Sequence, residues 1–423
     1  MARVIDPRPV YFDAIMNYQL KFFLLTALSA AMLFATSSVA QEAKWKPDRT
    51  DGALRIATYN VSMNRNSAGK LRADLENDDK QIWQVAAVVR AIRPDILLLN
   101  EVDFDGQQPS TAQLFASQYL ASKEQDLLGG EAWEMPYVFV APVNTGEPSG
   151  LDINQNGKLE EPDDCWGYGR FPGQYGMAVL SRLPIDSKNA RVIQDVLWSS
   201  MPGAKRPEHE GESFYPDAVW KKLRLPSKSF WDVPVQTPLG VIHAIASHPT
   251  PPAFDGPEDR NGCRNHDEIR LISEYIRGAD FLRNSGVASG LDEGDRFVVL
   301  GDLNSDPADG GSQAAAIEDL LNSPRLAHFD VPTSSGGESA AKRQGKINAK
   351  HRGDSAADTA DFNDRSVGNL RVDYSLPSAN LQVVRSGVFW PDLSEVAPEM
   401  RQAMLGVLRA SDHHLVWVDV VAK

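Results

Sequence analysis

Short apolar runs that end in polar residues recur along the chain. Leu54 to Tyr59 ends at Asn60, and the continuous apolar run Ile96 to Leu99 ends at Asn100-Glu101. Further strands are predicted at residues 177–180, 241–247, 297–300, 372–376 and 415–421. Helical spacing predicts helices over residues 80–92, closed by Pro94, and over 266–283 and 312–321. Continuous apolar strands mixed with helices indicate a layered α/β domain.

Three segments rich in Gly, Pro, Ser and charge interrupt this pattern, at residues 142–175, 198–235 and 333–366. We interpret them as insertions in a single domain over residues 41–423. The third segment has almost no large apolar residue, which predicts a mobile surface loop. It is either a solvated loop or a flap over an anionic substrate, because it carries the cations Lys342, Arg343, Lys346, Lys350 and Arg352.

The first 40 residues resemble an export signal rather than part of the fold. Lys21 precedes an apolar run over residues 22–35, and a small-x-small stretch ends at Ala40. This order predicts cleavage after Ala40 and export to the periplasm or the exterior. Met16 is an alternative start, and an uncleaved membrane anchor is the alternative interpretation. No later segment is apolar enough to span a bilayer, so no stable membrane insertion is expected after cleavage.

The net charge of the chain limits the classes of substrate that it is expected to bind. The net charge is −14, and removing Arg3, Arg8 and Lys21 with Asp6 and Asp13 makes it −15. An acidic surface repels polyanions and disfavours tight binding to long nucleic acid. It is compatible with a small phosphate ester, since a bound metal ion inverts the local field. No protein partner is predicted.

The chain contains two cysteines, Cys165 and Cys263. In an oxidising compartment an even pair indicates a disulfide, so we expect one between these residues. Two unpaired, buried thiols are the alternative. The choice depends on export.

Polar residues that could act in catalysis or bind a metal ion follow the ends of the predicted strands. Glu101 follows a buried strand, and a carboxylate placed there needs a partner such as a hard cation. Gly301 permits a tight turn before Asp302 and Asn304, which lie two apart and so on one side of an extended segment. The carboxylate can orient an attacking water, and the amide can bond a phosphoryl oxygen. An Asx turn is the alternative.

Histidines complete the set of candidate residues. His413 stands beside Asp412 before the last apolar strand, and a histidine next to an acid is a minimal general-base unit. His248 ends the strand over residues 241–247 and can donate to a phosphate oxygen. Asp373 lies within a predicted strand and therefore needs a partner. His414 is expected to be structural.

The motif order resembles that of the endonuclease/exonuclease/phosphatase superfamily. The matching positions are Asn60, Asn100-Glu101, His248, GDLN at 301–304, RVDY at 371–374 and SDHH at 411–414. The resemblance covers about residues 54–421. It implies an α/β fold of four layers, in which two mixed β-sheets pack face to face with helices outside. The sequence departs from the family pattern in having Pro249 after His248, and in having His414.

The resemblance also implies roles for these residues. Mg²⁺ or Mn²⁺ would be held by Glu101 and Asn60 with support from Asp412. His413 would be the catalytic histidine, paired with Asp373 or Asp412. Asp302 would orient the water. Asn304 and His248 would contact the phosphate.

Residues 152–163 form a separate motif with the spacing of an EF-hand-type calcium loop. Its candidate ligands are Asp152, Asn154, Asn156, Lys158 through its carbonyl, Glu160 and Asp163, with Gly157 at the turn. Position 12 is Asp rather than Glu, and no amphipathic helix precedes the loop. Ca²⁺ binding and a plain acidic turn both remain open.

Together these patterns predict an exported, metal-dependent phosphoesterase that acts on a phosphodiester or phosphomonoester. A secreted nuclease acting on DNA or RNA is the first alternative. A non-catalytic binding module on the same fold is the second. Activity on a simple phosphodiester would separate the enzyme from the module.

Overall fold

The computed structural model describes residues 45–125, 127–284 and 289–423. The fold below lies in the unit Pro47–Lys423. The predicted signal sequence, residues 1–40, lies outside the described residues. Fifteen strands occur in the described part: Leu54–Met63 (β1), Ile96–Val102 (β2), Tyr137–Phe139 (β3), Met177–Ser181 (β4), Arg191–Ile193 (β5), Glu208–His209 (β6), Glu212–Ser213 (β7), Phe230–Thr237 (β8), Gly240–Ser247 (β9), Arg296–Asp302 (β10), Ala360–Asp361 (β11), Asn369–Leu370 (β12), Asp373–Pro377 (β13), Leu381–Val388 (β14) and Val416–Ala422 (β15).

Helices connect and cover these strands. The α-helices of the described residues are Lys70–Glu76 (α1), Lys80–Ile92 (α2), Thr111–Leu114 (α3), Asp217–Trp220 (α4), Arg260–Arg277 (α5), Asp280–Asn284 (α6), Ala315–Leu321 (α7), Ser335–Gln344 (α8) and Arg401–Leu408 (α9). Helix α2 has the predicted bounds. It begins at the cap Asp79, whose side chain accepts hydrogen bonds from the backbone N–H groups of Gln81 and Ile82.

The strands form two large mixed sheets. Sheet 1 has the order β14-β15-β1-β2-β4-β3, and sheet 2 has the order β13-β10-β9-β8-β5. Strands β1 and β2 are parallel, as are β9 and β10, while the other neighbours are antiparallel. Both sheets therefore combine parallel and antiparallel pairs.

The two sheets pack face to face around one apolar core. Ile56, Leu98 and Val179 of sheet 1 share a buried cluster with Val233 and Val298 of sheet 2. On the other face of sheet 2, alternate strand residues pack against helices α5 and α7. Helices α2 and α9 contact each other. The predicted four-layer α/β sandwich is confirmed.

Two of the predicted insertions contain more regular structure than the sequence indicated. Strand β8 occupies the end of the 198–235 segment and lies inside sheet 2, where Trp231 and Val233 are fully buried. The prediction of a mobile loop over 333–366 is wrong at helix α8. Ser334 caps this helix, and small residues such as Ala340 pack it against the body. Apolar volume is a poor guide to a helix that packs through small side chains.

Three of the five cations of this segment contact other groups of the protein. Lys342 pairs with Glu338, Lys346 lies 3.2 Å from Asp364, and Arg352 bonds the Ala308 carbonyl. These contacts give no support to a flap of free cations.

The predicted disulfide between Cys165 and Cys263 is wrong, because both residues are free thiols in the structure. The Cys165 Sγ lies against the carbonyl oxygens of Glu161 and Gly169, at 3.7 and 3.6 Å. Cys263 lies on helix α5 and accepts a hydrogen bond from Gln313. The two thiols thus have different neighbours, and burial raises the pKa of both.

Among the described residues, no helix combines the length and the apolar character that a membrane span requires.

Candidate active site

The ends of strands from both sheets meet at one site. Asn60 of β1 lies beside Asn100 in the parallel register with β2, and Asp302 of β10 lies opposite Asp373 of β13. The Asn60 Nδ2 donates to Glu101 Oε1 and to Asp302 Oδ2, both at 3.1 Å. One amide therefore connects the predicted metal carboxylate of sheet 1 to the predicted water-orienting carboxylate of sheet 2.

Unusual backbone conformations aim these side chains. Glu101 has φ 62° and Asn304 has φ 51°, and such left-handed residues cluster at functional sites. At Gly301 a Cβ atom would lie 2.0 Å from the Ser247 carbonyl oxygen. Glycine is therefore required where the end of β10 approaches the end of β9.

His413 is held between two aspartates. Its Nδ1 hydrogen-bonds to Asp373 Oδ2 at 2.8 Å, and its Nε2 lies 3.6 Å from Asp302 Oδ2. Thr359 Oγ1 donates to the same Asp373 oxygen at 2.8 Å. The ring of Phe362 meets the imidazole edge-on, with centroids 5.3 Å apart. The imidazole orientation is thus fixed by a carboxylate on one nitrogen, which leaves the other nitrogen facing Asp302.

The partner of His413 is Asp373, so the alternative pairing with Asp412 is wrong. Asp412 is exposed, and its Oδ1 accepts a hydrogen bond from Ser62 Oγ at 3.1 Å. Consecutive side chains in an extended segment point to opposite sides, and the neighbour in sequence therefore turns away. Asp412 still lies at this edge, since Ser62 is two residues beyond Asn60.

The charges of this group are strongly coupled. Burial favours the neutral form of Asp302, but His413 and His248 outweigh it and hold the pKa of Asp302 well below its usual range. Burial raises the pKa of Asp373 to about 6 despite the opposing effect of His413. Burial disfavours the cation of His413, yet Asp373 and Asp302 raise its pKa well above the usual value. An ionised Asp302 therefore faces a protonated His413.

Three further side chains with potential donor groups lie near Asp302. His248 Nε2 lies 3.4 Å from Asp302 Oδ2, and its buried Nδ1 has no hydrogen-bond partner among the described residues. Asn304 Nδ2 and Lys228 Nζ both donate to the Pro249 carbonyl, at 3.2 and 3.3 Å. Because they share one acceptor, the amide and the ammonium group are close neighbours. The three side chains can surround an anionic group beside Asp302.

Lys228 was not predicted from the sequence. It precedes strand β8, in a segment interpreted as an insertion, and its side chain is almost fully buried. Burial lowers the pKa of Lys228, and the carboxylates of Glu268, Glu101 and Asp302 oppose this shift. Its position in the sequence, after Ser227, did not indicate a site residue, because a lysine at a strand end is usually exposed to solvent.

Other supporting residues were also missed. Asn100 Oδ1 accepts a hydrogen bond from the Asp302 backbone N–H at 3.1 Å, and Asn64 Nδ2 donates to Glu101 Oε2 at 2.7 Å. Asn100 belongs to the predicted motif at the end of β2, but no role was predicted for it. Thr359 lies in the segment predicted as a mobile loop, where the sequence carries no such signal.

Two sets of groups could hold a divalent cation. The ligand atoms of Asp302, Asp373 and His413 all lie within 4.8 Å of one another. In that set the Asp373–His413 hydrogen bond already occupies one nitrogen and one oxygen. The second set is the predicted one, in which the hydrogen bonds that Glu101 accepts from described side chains come from the amides of Asn60 and Asn64, with the Lys228 ammonium group at longer range. A carboxylate whose hydrogen-bond partners are neutral fits a cation better than one already paired with a protonated histidine.

The remaining predicted residues lie elsewhere. His414 stacks on Trp390 with ring centroids 3.8 Å apart, and burial lowers its pKa to about 3. It is a neutral packing residue, as expected. The loop that contains Asp152, Asn154, Asn156, Lys158, Glu160 and Asp163 forms a turn of its own and supplies none of the contacts above.

Comparisons with known proteins give one family. The model described as the Endonuclease/Exonuclease/phosphatase family matches residues 57–413. Similar solved structures include an endonuclease/exonuclease/phosphatase from Beutenbergia cavernae, 19% identical, which covers 88% of this chain and 72% of the other with a TM-score of 0.47. A sphingomyelinase C from Streptomyces griseocarneus is 15% identical, covers 87% and 99%, and has a TM-score of 0.44. A Staphylococcus aureus beta toxin with bound magnesium ions is 14% identical, covers 88% and 100%, and has a TM-score of 0.41. No curated protein sequence matches the chain.

Proposed function

The chain belongs to the endonuclease/exonuclease/phosphatase family, and on that premise we propose that it hydrolyses a small phosphate ester by attack of an activated water molecule. Members of this family are metal-dependent phosphoesterases. The observation that carries the proposal is the contact set of Asp302, which has His413 at 3.6 Å and His248 at 3.4 Å.

Asp302 and His413 have complementary hydrogen-bonding roles. The ionised Asp302 can orient an attacking water molecule by accepting a hydrogen bond from it. His413 can donate a hydrogen bond from Nε2 to a phosphoryl oxygen or to the leaving oxygen, because Asp373 keeps Nδ1 occupied. Asp373 thus acts by positioning the imidazole and stabilising its cation.

The phosphate would lie beside Asp302, near the potential donors His248, Asn304 and Lys228. His248 Nε2 lies beside Asp302, and Asn304 and Lys228 each place an N–H group at the Pro249 carbonyl. Donors of this kind stabilise the charge that develops on phosphoryl oxygens.

Glu101 and Asn60 would hold Mg²⁺ or Mn²⁺, with Asp412 in support. The neutral hydrogen-bond partners of the Glu101 carboxylate, the amides of Asn60 and Asn64, support this assignment. A divalent ion at this place supplies Lewis-acid neutralisation of charge on the phosphate.

A small phosphodiester or phosphomonoester suits the charge of the protein better than a long nucleic acid. The net charge is −14, and extended nucleic acids depend on cation contacts to many phosphates. Lys228 is buried at the site floor and can serve one phosphate group without attracting a polymer.

The first test is hydrolysis of bis-p-nitrophenyl phosphate with Mg²⁺. We expect activity in the wild type, and a loss of about 10²–10⁴-fold in kcat for His413→Ala and Glu101→Ala. The matched control is His243→Asn, since His243 also pairs with an aspartate, Asp232 at 2.6 Å, but lies outside the site. Full activity of both site variants would contradict the proposal. A wild type inert with every divalent metal and ester would support a binding module instead.

A further inference from the structure

Residues 152–164 form an ordered turn that takes no part in the proposed reaction. Ile153 is buried in the core cluster between sheet 2 and helix α5. Gln155 Nε2 donates to the Phe214 carbonyl at 2.5 Å. The turn is therefore attached to the body, although most of its residues are exposed.

Side-chain oxygens of this segment converge on its backbone. The Asn156 N–H donates to Asp152 Oδ1 and to Asn154 Oδ1, both at 3.1 Å. The N–H groups of Gly157 and Lys158 donate to Asp152 Oδ2 and Asn156 Oδ1, at 2.9 and 2.8 Å. Three oxygen-bearing side chains at alternate positions thus face one turn, and each oxygen keeps further lone-pair capacity.

An independent observation points to a cation ligand at this turn. The Asp164 side chain is only 2% exposed, and its Oδ1 accepts the N–H groups of Ile153 and Asn154 at 2.8 and 3.4 Å. Its Oδ2 is buried and has no hydrogen-bond partner in the described part of the chain. The carboxylate therefore lies against the start of the turn with one oxygen unused, and leaving such an oxygen buried without a partner is costly.

The nearby lysine does not supply this charge. Lys158 Nζ bonds Glu161 at 3.2 Å, on the exposed side of the turn. The segment contains the five carboxylates Asp152, Glu160, Glu161, Asp163 and Asp164 against this single cation.

We propose that this segment binds Ca²⁺ through side-chain oxygens of Asp152, Asn154, Asn156 and Asp164 and through the Lys158 carbonyl. Mixed carboxylate, amide and carbonyl oxygens on a flexible loop suit Ca²⁺, whereas Mg²⁺ demands a stricter octahedron and keeps its waters. Sequence spacing assigns the closing carboxylate to Asp163, which is exposed. The geometry assigns it to the buried Asp164.

The consequence of binding is mechanical. The segment belongs to residues 142–175, whose ends are fastened to both walls of the active site. Asn144 N–H donates to the Lys228 carbonyl at 2.7 Å, and Tyr175 N–H donates to Asp103, two residues after Glu101, at 3.2 Å. Ca²⁺ would stabilise this connection without joining the chemistry.

The test is thermal unfolding of chelator-treated protein during a Ca²⁺ titration. Loops of this type in extracellular modules bind with Kd of roughly 10⁻⁴–10⁻³ M. At Ca²⁺ concentrations about 10–100 times Kd, the Tm should rise by about 2–3 °C. Glu101→Ala should show the same rise, which separates this site from the proposed active-site metal.

Matched variants identify the ligands. Asp152→Asn and Asp164→Asn should lose the Ca²⁺-dependent rise, whereas Asp163→Asn, which removes the same charge from the adjacent exposed position, should keep it. Circular dichroism without Ca²⁺ checks that each variant is folded, and a Tb³⁺ luminescence titration measures ion binding in any variant of altered stability. No rise in the wild type, an equal rise in Asp152→Asn, or loss in Asp163→Asn with retention in Asp164→Asn would overturn the proposal.

Discussion

At the scale of residues, the arrangement of the site depends on which group is the hydrogen-bond partner of each buried ionisable side chain. His413 has a carboxylate on each ring nitrogen, Asp373 at 2.8 Å and Asp302 at 3.6 Å, and only the first makes a normal hydrogen bond. Among the described residues, the Lys228 ammonium group donates to one carbonyl, with carboxylates at longer range. The ammonium group therefore has further N–H donors available for the phosphate group of the proposed substrate.

The contribution of Lys228 can be measured by Lys228→Met, which keeps an apolar stem and removes the charge. A hydrogen bond to a charged group contributes about 1.5–3 kcal/mol, so kcat/KM should fall about 10–150-fold. The control Lys222→Met changes an exposed lysine of the same segment and should leave kcat/KM unchanged. Steady-state kinetics on the diester decide the matter, and equal values for both variants would remove Lys228 from the site.

At the scale of elements, the site is assembled by the close approach of strand ends. Strand β10 passes so near β9 that the Ser247 carbonyl oxygen occupies the space of a Cβ at Gly301. Asp302 follows at once, and its backbone N–H bonds Asn100 of the opposite sheet. A small shift of β10 would therefore change both the packing of the sheets and the aim of the carboxylate.

Gly301→Ala should be destabilising and should also impair catalysis. The added methyl group would lie 2.0 Å from a backbone oxygen that cannot rotate away, and we expect a loss of more than about 2 kcal/mol in the free energy of unfolding. Gly294→Ala is the control just before the same strand, because its Cβ would meet nothing within 4 Å. Urea unfolding would contradict this account if the two variants were equally stable.

At the scale of the whole molecule, acidity is the dominant electrostatic feature, with a net charge of −14. Acidic residues cluster in places, and the pKa of Asp358 shows the effect of such a cluster. Burial, together with Asp306, Asp309 and Asp354, raises the pKa of Asp358 to about 8. Asp358 is 7% exposed as a whole residue, and its carboxyl group accepts none of the hydrogen bonds found among the described residues. Folding therefore works against the ionisation of this group.

Asp358→Asn should raise the Tm, and the gain should grow with pH. The unfolded carboxyl group loses its proton near its ordinary value of 3.8, whereas the folded one keeps it to about 8. Between these values folding takes up a proton, so wild-type stability falls as pH rises. The variant has no carboxyl group at this position, so its stability does not fall in this pH range. Below pH 3.8 it is no more stable than the wild type. Asp330→Asn, an exposed change of equal charge, should show no such pH dependence in thermal unfolding.

The sequence by itself determined the layered fold and the identity of most site residues. Apolar strands that end in Asn60, Glu101, His248 and Asp302 could be identified because strand ends are local in sequence. The α2 helix was also exact, since its cap and its apolar spacing lie within one segment. These features depend on periodicity and on neighbours along the chain.

The tertiary structure alone decided which residues are partners. His413 forms its hydrogen bond with Asp373, forty residues away in the sequence, and not with its sequence neighbour Asp412. Lys228 and Thr359 reach the site from segments that resemble insertions, and the two cysteines have separate neighbours instead of each other. The physical reason is the same in each case. Hydrogen bonds and ion pairs depend on distances across the fold, and a single sequence records only distances along the chain.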